Sequence, residues 1–298
     1  MNGMTTVEFP GLLGLKLNIS NVAFSIFGFK VFWYGIIIAS ALLLSLFLAL
    51  RCCESFGIKK DDFVDFMIVA VPSAVVMARL YYVIFKWEDF AGDLGKILNI
   101  RTGGLAIYGA VIGSIVSAYI FTKVKKYNTF KFFDFAVVYL PLGQAIGRWG
   151  NFFNQEAFGT NTSLPWGMKS QIISEELSVI RKAAESARDS GFSFPNMDFN
   201  LKLDPLGAVH PTFLYESLLN LLLFFFLLHM RKNKKFDGEV FALYMLGYGF
   251  IRFFIEGLRT DSLMYGSFRA SQILAMIFCV IFSGFILFKR RKMKLSCR

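Results

Sequence analysis

Six charged side chains, Arg79, Arg148, Glu156, Glu216, Arg252 and Glu256, stand in or at the ends of apolar segments. Each costs about 2.5 to 3.5 kcal/mol at mid-bilayer on insertion scales, so the group implies a shared polar cavity rather than contact with lipid. The alternative is charge pairing that only ties helices together. Tyr248, Arg252, Glu256 and Arg259 recur at helical spacing and fall within an arc of about 80°. Arg252 and Glu256 are spaced for an ion pair one turn apart. Brought near each other, Arg148 and Arg252 make a two-guanidinium clamp suited to phosphate, whose geometry lysine matches less well.

The most concentrated stretch is GQAIGRWGNFFNQEAFG, Gly143 to Gly159. As a helix it sets Arg148, Asn151 and Gln155 on one face, with Gly143 and Gly147 forming a close-contact surface. Asn154 and Glu156 follow at its end. HPTFLYESLLN opens another helix at His210 and Pro211, with Glu216 and Asn220 one turn apart. His210 reads as a cap or interface residue. Trp33 and Tyr34 read as interfacial aromatics, with the Tyr34 hydroxyl within reach of an internal site. RTGGLAIYGAVIG carries four glycines for tight packing, and Tyr108 in its middle offers a phenol to a ligand oxygen. Four cysteines, Cys52, Cys53, Cys279 and Cys297, show no zinc or disulfide spacing, and the two histidines lie far apart. No metal site and no cofactor are expected.

These residues need helices in a membrane to hold them. The chain is 55% hydrophobic and only 18% charged, against about 25% charged in soluble domains. Apolar runs near 31–49, 62–85, 103–122, 133–153, 212–229, 239–257 and 270–288 predict an all-α, polytopic integral membrane protein of seven transmembrane helices. The net charge of +11 is a topological excess rather than a nucleic-acid surface. Of the 32 Lys and Arg residues, 17 fall in 50–61, 123–132, 230–238 and 289–298. The positive-inside rule then puts the basic tail 289–298 in the cytoplasm and the N-terminus outside. Residues 1–30 are expected as an amphipathic lead-in on the outer surface, without a cleaved signal peptide. The segment 154–209 is an extracytoplasmic cap between helices four and five. It is expected to hold a solvated helix over 172–188 and then a loop rich in Asn, Asp, Pro and Gly.

GRWGNFFNQEAFG, Gly147 to Gly159, resembles the signature of the prolipoprotein diacylglyceryl transferase family at every fixed position. WYG at Trp33, ARLYY around Arg79, GGLAIYGAVIG, HPTFLYE and GYGFIRFFIEGLR follow the family's order. The resemblance implies a multi-pass enzyme of the bacterial cytoplasmic membrane. Its substrates would be phosphatidylglycerol, a membrane lipid, and a preprolipoprotein signal peptide bearing a lipobox cysteine. Transfer of the diacylglyceryl group to that thiol would form a thioether and release glycerol 1-phosphate. By the same pattern Arg148 and Arg252 hold the phosphate, while Asn151 and Asn154 order the site. Tyr34, Arg79, Tyr248, Arg259, His210 and Glu216 join the substrate-binding set.

Some family members carry histidine where this chain has Tyr108, and a phenol with a pKa near 10 is a poor base at neutral pH. Thiol activation is therefore expected from the field of the arginines with Glu256 or Glu156, and Tyr108 is expected to orient lipid. An anion transporter would need a continuous polar path or internal repeats, and no repeat is seen. An acyltransferase would need a nucleophile or an HxxxxD pair, which His210 followed by Tyr215 does not make.

Overall fold

The computed structural model describes residues 4–100, 103–190, 203–262, 264–265 and 268–296. They form two compact units, one of Met1–Leu46 with Val137–Arg298 and one of Phe47–Ala136. Two strands, β1 (Met4–Phe9) and β2 (Leu15–Ser20), pair antiparallel, as do β3 (Val22–Ile26) and β4 (Phe29–Phe32). The all-α expectation is corrected here: the N-terminal lead-in is two hairpins. Alternation in Thr5-Thr6-Val7-Glu8-Phe9 has the period of a strand, and it buries Val7 and Phe9 on one face.

Helix α1 (Trp33–Cys52) follows, then α2 (Lys60–Phe85), the short α3 (Trp87–Phe90) and α4 (Leu94–Leu98), α5 (Ile107–Val124) and α6 (Thr129–Ala136). After a 3-10 turn at Val137–Tyr139 come α7 (Leu140–Asn154), α8 (Gln171–Ser190), α9 (Thr212–Met230) and α10 (Glu239–Leu258). A two-residue hairpin, β5 (Met264–Tyr265) and β6 (Phe268–Arg269), leads into α11 (Ala270–Ser296).

Among the described residues, six helices are long and apolar enough to cross a membrane: α1 with its 3-10 extension, α2, α5, α9, α10 and α11. The expected span over 133–153 is corrected to a broken one. Pro141 near the start of α7 has no N–H for a preceding turn and disfavours helix in the residue before it, so α6 stops and a 3-10 turn intervenes. The basic tail is not a separate segment, because α11 continues through it to Ser296.

In the Phe47–Ala136 unit, α2 and α5 touch through glycine. A Cβ on Gly109 would lie 2.2 Å from the Met77 carbonyl, and one on Gly113 would lie 2.8 Å from the Met77 side chain. Phe63, Phe66, Phe132 and Phe135 fill one end of this unit, with edge-to-face pairs at 5.0 and 5.2 Å.

In the other unit, the excursion and the N-terminus share one core. Val7, Phe9 and Ile19 of the first hairpin pack with Phe158, Met168, Ile173, Leu177, Val209 and Phe213. Glu8 and Lys169 exchange backbone hydrogen bonds of 2.8 and 2.9 Å. Helix α8 begins one residue before the predicted one, while the loop expected after it falls largely on 191–202, outside the described residues.

Candidate active site

Helix α7 carries the signature. Its glycines line a face against α1: a Cβ on Gly150 would lie 2.7 Å from the Tyr34 ring, one on Gly147 3.2 Å from Ile38, and one on Gly143 3.6 Å from Ser45. The expected close-contact surface is present, and it sets Tyr34 beside the residue that precedes Asn151. Trp33 stacks on Phe153 at 5.2 Å.

The helix ends one residue earlier than the shared-face reading required. Gln155 is the C-cap in left-handed conformation (φ 53°), so its buried side chain leaves the Arg148 face. Ala157 is also left-handed, at φ 57°. Such strain in non-glycine residues collects at functional sites. The turn brings Glu156 back over the helix end, where it accepts from Asn151 Nδ2 at 2.8 Å and Asn154 Nδ2 at 3.2 Å.

Arg148 and Arg252 meet at a third helix. Arg148 Nη2 donates to Glu216 Oε1 at 2.7 Å, and Arg252 Nη1 lies 3.6 Å from Glu216 Oε2. Glu216 is 1% exposed. Arg252 Nη2 is 2.6 Å from Glu256 Oε2, the expected ion pair, but off the hydrogen-bond line. Arg252 Nη1 therefore keeps a donor without a hydrogen-bond partner. Two arginines and two carboxylates make a group that is neutral overall, which is how such charges persist away from water. Tyr248, on the same face of α10, stacks on Tyr244 at 5.7 Å.

The end of the signature ties these helices together. Gly159 N donates to the His210 carbonyl at 2.9 Å and Thr160 N to the Leu258 carbonyl at 2.8 Å, which pins the chain after α7 to the start of α9 and the end of α10. A Cβ on Gly159 would lie 2.8 Å from His210 Cβ. His210 Nδ1 is 3.1 Å from the Tyr215 hydroxyl, which accepts from Trp166 Nε1 at 2.6 Å. Burial lowers the pKa of His210. Arg259 is the C-cap of α10 and turns from the Arg252 face to grip Asp261 with bonds of 2.8 and 2.6 Å. Burial opposes the Asp261 charge, but Arg259 outweighs it and holds the carboxyl below its usual pKa.

Arg79 and Tyr108 belong to the Phe47–Ala136 unit. Arg79 donates to the carbonyls of Ile97, Gly103, Gly104, Lys96 and Asn99 at 2.6 to 3.0 Å. All three of its nitrogens are engaged, and the side chain is 7% exposed. It holds the loop before α5, and this geometry leaves it no free fork for a phosphate. Tyr108 is partly exposed and lies 6.2 Å from the Tyr81 ring. Among the described residues, no group of three or more His, Cys, Asp or Glu is gathered as metal ligands.

The family profile described as prolipoprotein diacylglyceryl transferase matches residues 21–288. The chain belongs to this family. A phosphatidylglycerol–prolipoprotein diacylglyceryl transferase of Clostridioides difficile is 41% identical over 256 residues, covering 86% of this chain and 90% of that protein. Its namesake in Finegoldia magna is 41% identical, covering 89% and 93%. The one in Bacillus anthracis is 43% identical over 280 residues, covering 94% and 96%.

In this prolipoprotein diacylglyceryl transferase family member, sequence reasoning passed over several site residues. Arg269 donates to the Glu256 carbonyl, and Asp261 anchors Arg259. Both lie beyond the apolar run, where no periodic signal reaches. Gln144 hydrogen-bonds the Tyr244 hydroxyl at 3.0 Å. It stands one turn before Arg148, a spacing that was readable. Glu176 of α8 faces the charges of Asp261 and Glu156, and burial together with those charges raises its pKa.

Proposed function

We propose that this chain transfers the diacylglyceryl group of phosphatidylglycerol to the cysteine thiol of a prolipoprotein lipobox. The observation that carries this reading is Glu216 holding Arg148 and Arg252 on facing helices, with an unpartnered Arg252 donor beside them. The lipid phosphate sits between the two guanidiniums. The thiol sulfur attacks the glycerol carbon attached to the phosphate oxygen; the C–S bond forms as the C–O bond breaks, and its electron pair leaves on glycerol 1-phosphate. Charge grows on the phosphate oxygens in the transition state, where fixed donors in a site shielded from water stabilise it most. The nucleophile comes from the substrate, so no cysteine of this chain has to reach the site.

The thiol proton goes to Glu156. Glu256 is ion-paired with Arg252 and 2% exposed, which makes it the weaker acceptor, whereas Glu156 is exposed and, among the described residues, accepts from Asn151 and Asn154. Tyr34, Tyr248, His210 and the Arg259–Asp261 pair shape the walls around the phosphate, and Tyr108 orients lipid. The enzyme lies in the bacterial cytoplasmic membrane and crosses it seven times, with 133–153 as the fourth crossing. Its N-terminus and the 154–209 cap are outside and α11 ends in the cytoplasm. The asymmetric distribution of Lys and Arg supports that orientation.

The test is reconstitution in liposomes of phosphatidylglycerol with a lipobox peptide. The expected product is the peptide heavier by one diacylglyceryl unit on cysteine. Folded protein that adds no such mass overturns the assignment.

A further inference from the structure

One helical turn from the ion cluster lies a second polar layer that the chemistry above does not use. Gln144 stands four residues from Arg148 on α7, Asn220 four from Glu216 on α9, and Tyr244 four from Tyr248 on α10. The three displacements are toward the same end of the bundle, because α9 runs opposite to α7 and α10. The layer is tied together: Gln144 Nε2 donates to the Tyr244 hydroxyl at 3.0 Å, Ser217 Oγ to the Ala145 carbonyl at 2.8 Å, and Asn220 Nδ2 to the Glu216 carbonyl at 2.9 Å. Two acceptors in it are buried without a donor, Gln144 Oε1 and Asn220 Oδ1, and Asn220 is 0% exposed. Apolar side chains of similar size would avoid the penalty that an unpaired buried carbonyl carries. The amides therefore point to a ligand that brings donors.

The proposed reaction supplies one. In an in-line displacement the thiol and the leaving oxygen lie on opposite sides of the attacked carbon. The thiol enters from the Asn151–Glu156 end of α7, so the leaving group points the other way along the helix, toward Gln144. Beyond the phosphate, that leaving group ends in a glycerol with two free hydroxyls, each a donor. We infer that Gln144 Oε1 and Asn220 Oδ1 accept hydrogen bonds from the headgroup glycerol of phosphatidylglycerol, and that this layer selects the lipid headgroup. The inference rests on the proposed function and adds the residues that read the headgroup.

The experiment compares transfer to a lipobox peptide from three lipids with the same acyl chains: phosphatidylglycerol, phosphatidyl-ethylene glycol with one hydroxyl, and phosphatidylethanol with none. All three keep the phosphodiester charge. For the wild-type protein kcat/KM is expected to fall about tenfold with each hydroxyl removed, the usual effect of a hydrogen bond left unmade in a buried site. Gln144→Met and Asn220→Leu, which keep the volume and remove the acceptor, are expected to bring the phosphatidylglycerol-to-phosphatidylethanol ratio toward one. A wild-type protein that uses all three lipids equally overturns the inference while leaving the function standing. The same holds for folded variants that keep the full ratio, which would mean that water alone satisfies the amides. Absence of transfer from any lipid overturns the function and the inference together. Should either variant fail to fold, the wild-type lipid series decides the matter.

Discussion

At the scale of single residues, the site works by division of labour between charges. Glu216 fixes Arg148 from one side, and Glu256 holds Arg252, so neither guanidinium has to be ordered by the ligand. Arg148→Ala and Arg252→Ala are each expected to lower turnover by two to three orders of magnitude, the typical effect of removing one oxyanion donor. Arg51→Ala, at a guanidinium that lies over the Phe47 ring, is expected to leave the rate unchanged. Peptide-transfer kinetics in liposomes check all three, and equal activity would remove the clamp. Because an alanine at 148 leaves buried Glu216 with one partner fewer, thermal unfolding has to be measured alongside.

At the scale of elements, the decisive contact is α7 against α1. Gly150 admits the Tyr34 ring, and a methyl group at that position would have to displace it. Gly150→Ala is expected to destabilise the protein by about 1 to 3 kcal/mol, the usual range for overpacking, and to depress transfer through the neighbouring Asn151. A melting curve in detergent reads the first effect and a kinetic assay the second. Helix α8 makes a different prediction. Burial and the charges of Asp261 and Glu156 raise the pKa of Glu176, so its contribution to stability is present below its ordinary pKa of 4.5 and is lost as pH rises through the raised value. Glu176→Gln is therefore expected to melt at a higher temperature than wild type at pH 7, and the gap should close below pH 4.5. A gap that persists in acid would refute the electrostatic cause.

At the scale of the molecule, orientation is the property on which the proposed chemistry depends, since that proposal has the lipobox presented on the outer side. A cysteine placed at Ser178 in α8, in a chain with its own cysteines replaced by alanine, is expected to react with an impermeant maleimide in intact cells. One placed at Lys292 should react only after permeabilisation. Labelling in the reverse pattern would invert the topology.

The amino-acid sequence alone determined what local pattern can carry. Six of the seven apolar runs marked membrane-length helices, with their starts placed to within four residues, GRWGNFFNQEAFG marked the candidate site, and the four-residue spacing of Arg252 and Glu256 foretold their ion pair. It determined less where a fold depends on distant partners. The broken span at 137–139 was hidden because average hydropathy is blind to where Pro141 stops a helix. The N-terminal hairpins were missed although β1 pairs with β2 and β3 with β4 locally; for the first, the core that covers Val7 and Phe9 comes from Met168, Ile173 and Val209, far along the chain. Gln155 was expected beside Arg148, but a left-handed cap turns it away and brings Glu156 onto Asn151 and Asn154. Arg79 had the sequence signature of a ligand-binding arginine, yet the carbonyls of a loop 17 to 25 residues away engage its donors. Only the tertiary structure decided that Arg148 and Arg252 share one carboxylate, since Glu216 comes from a third helix and no spacing within one segment encodes which helices become neighbours.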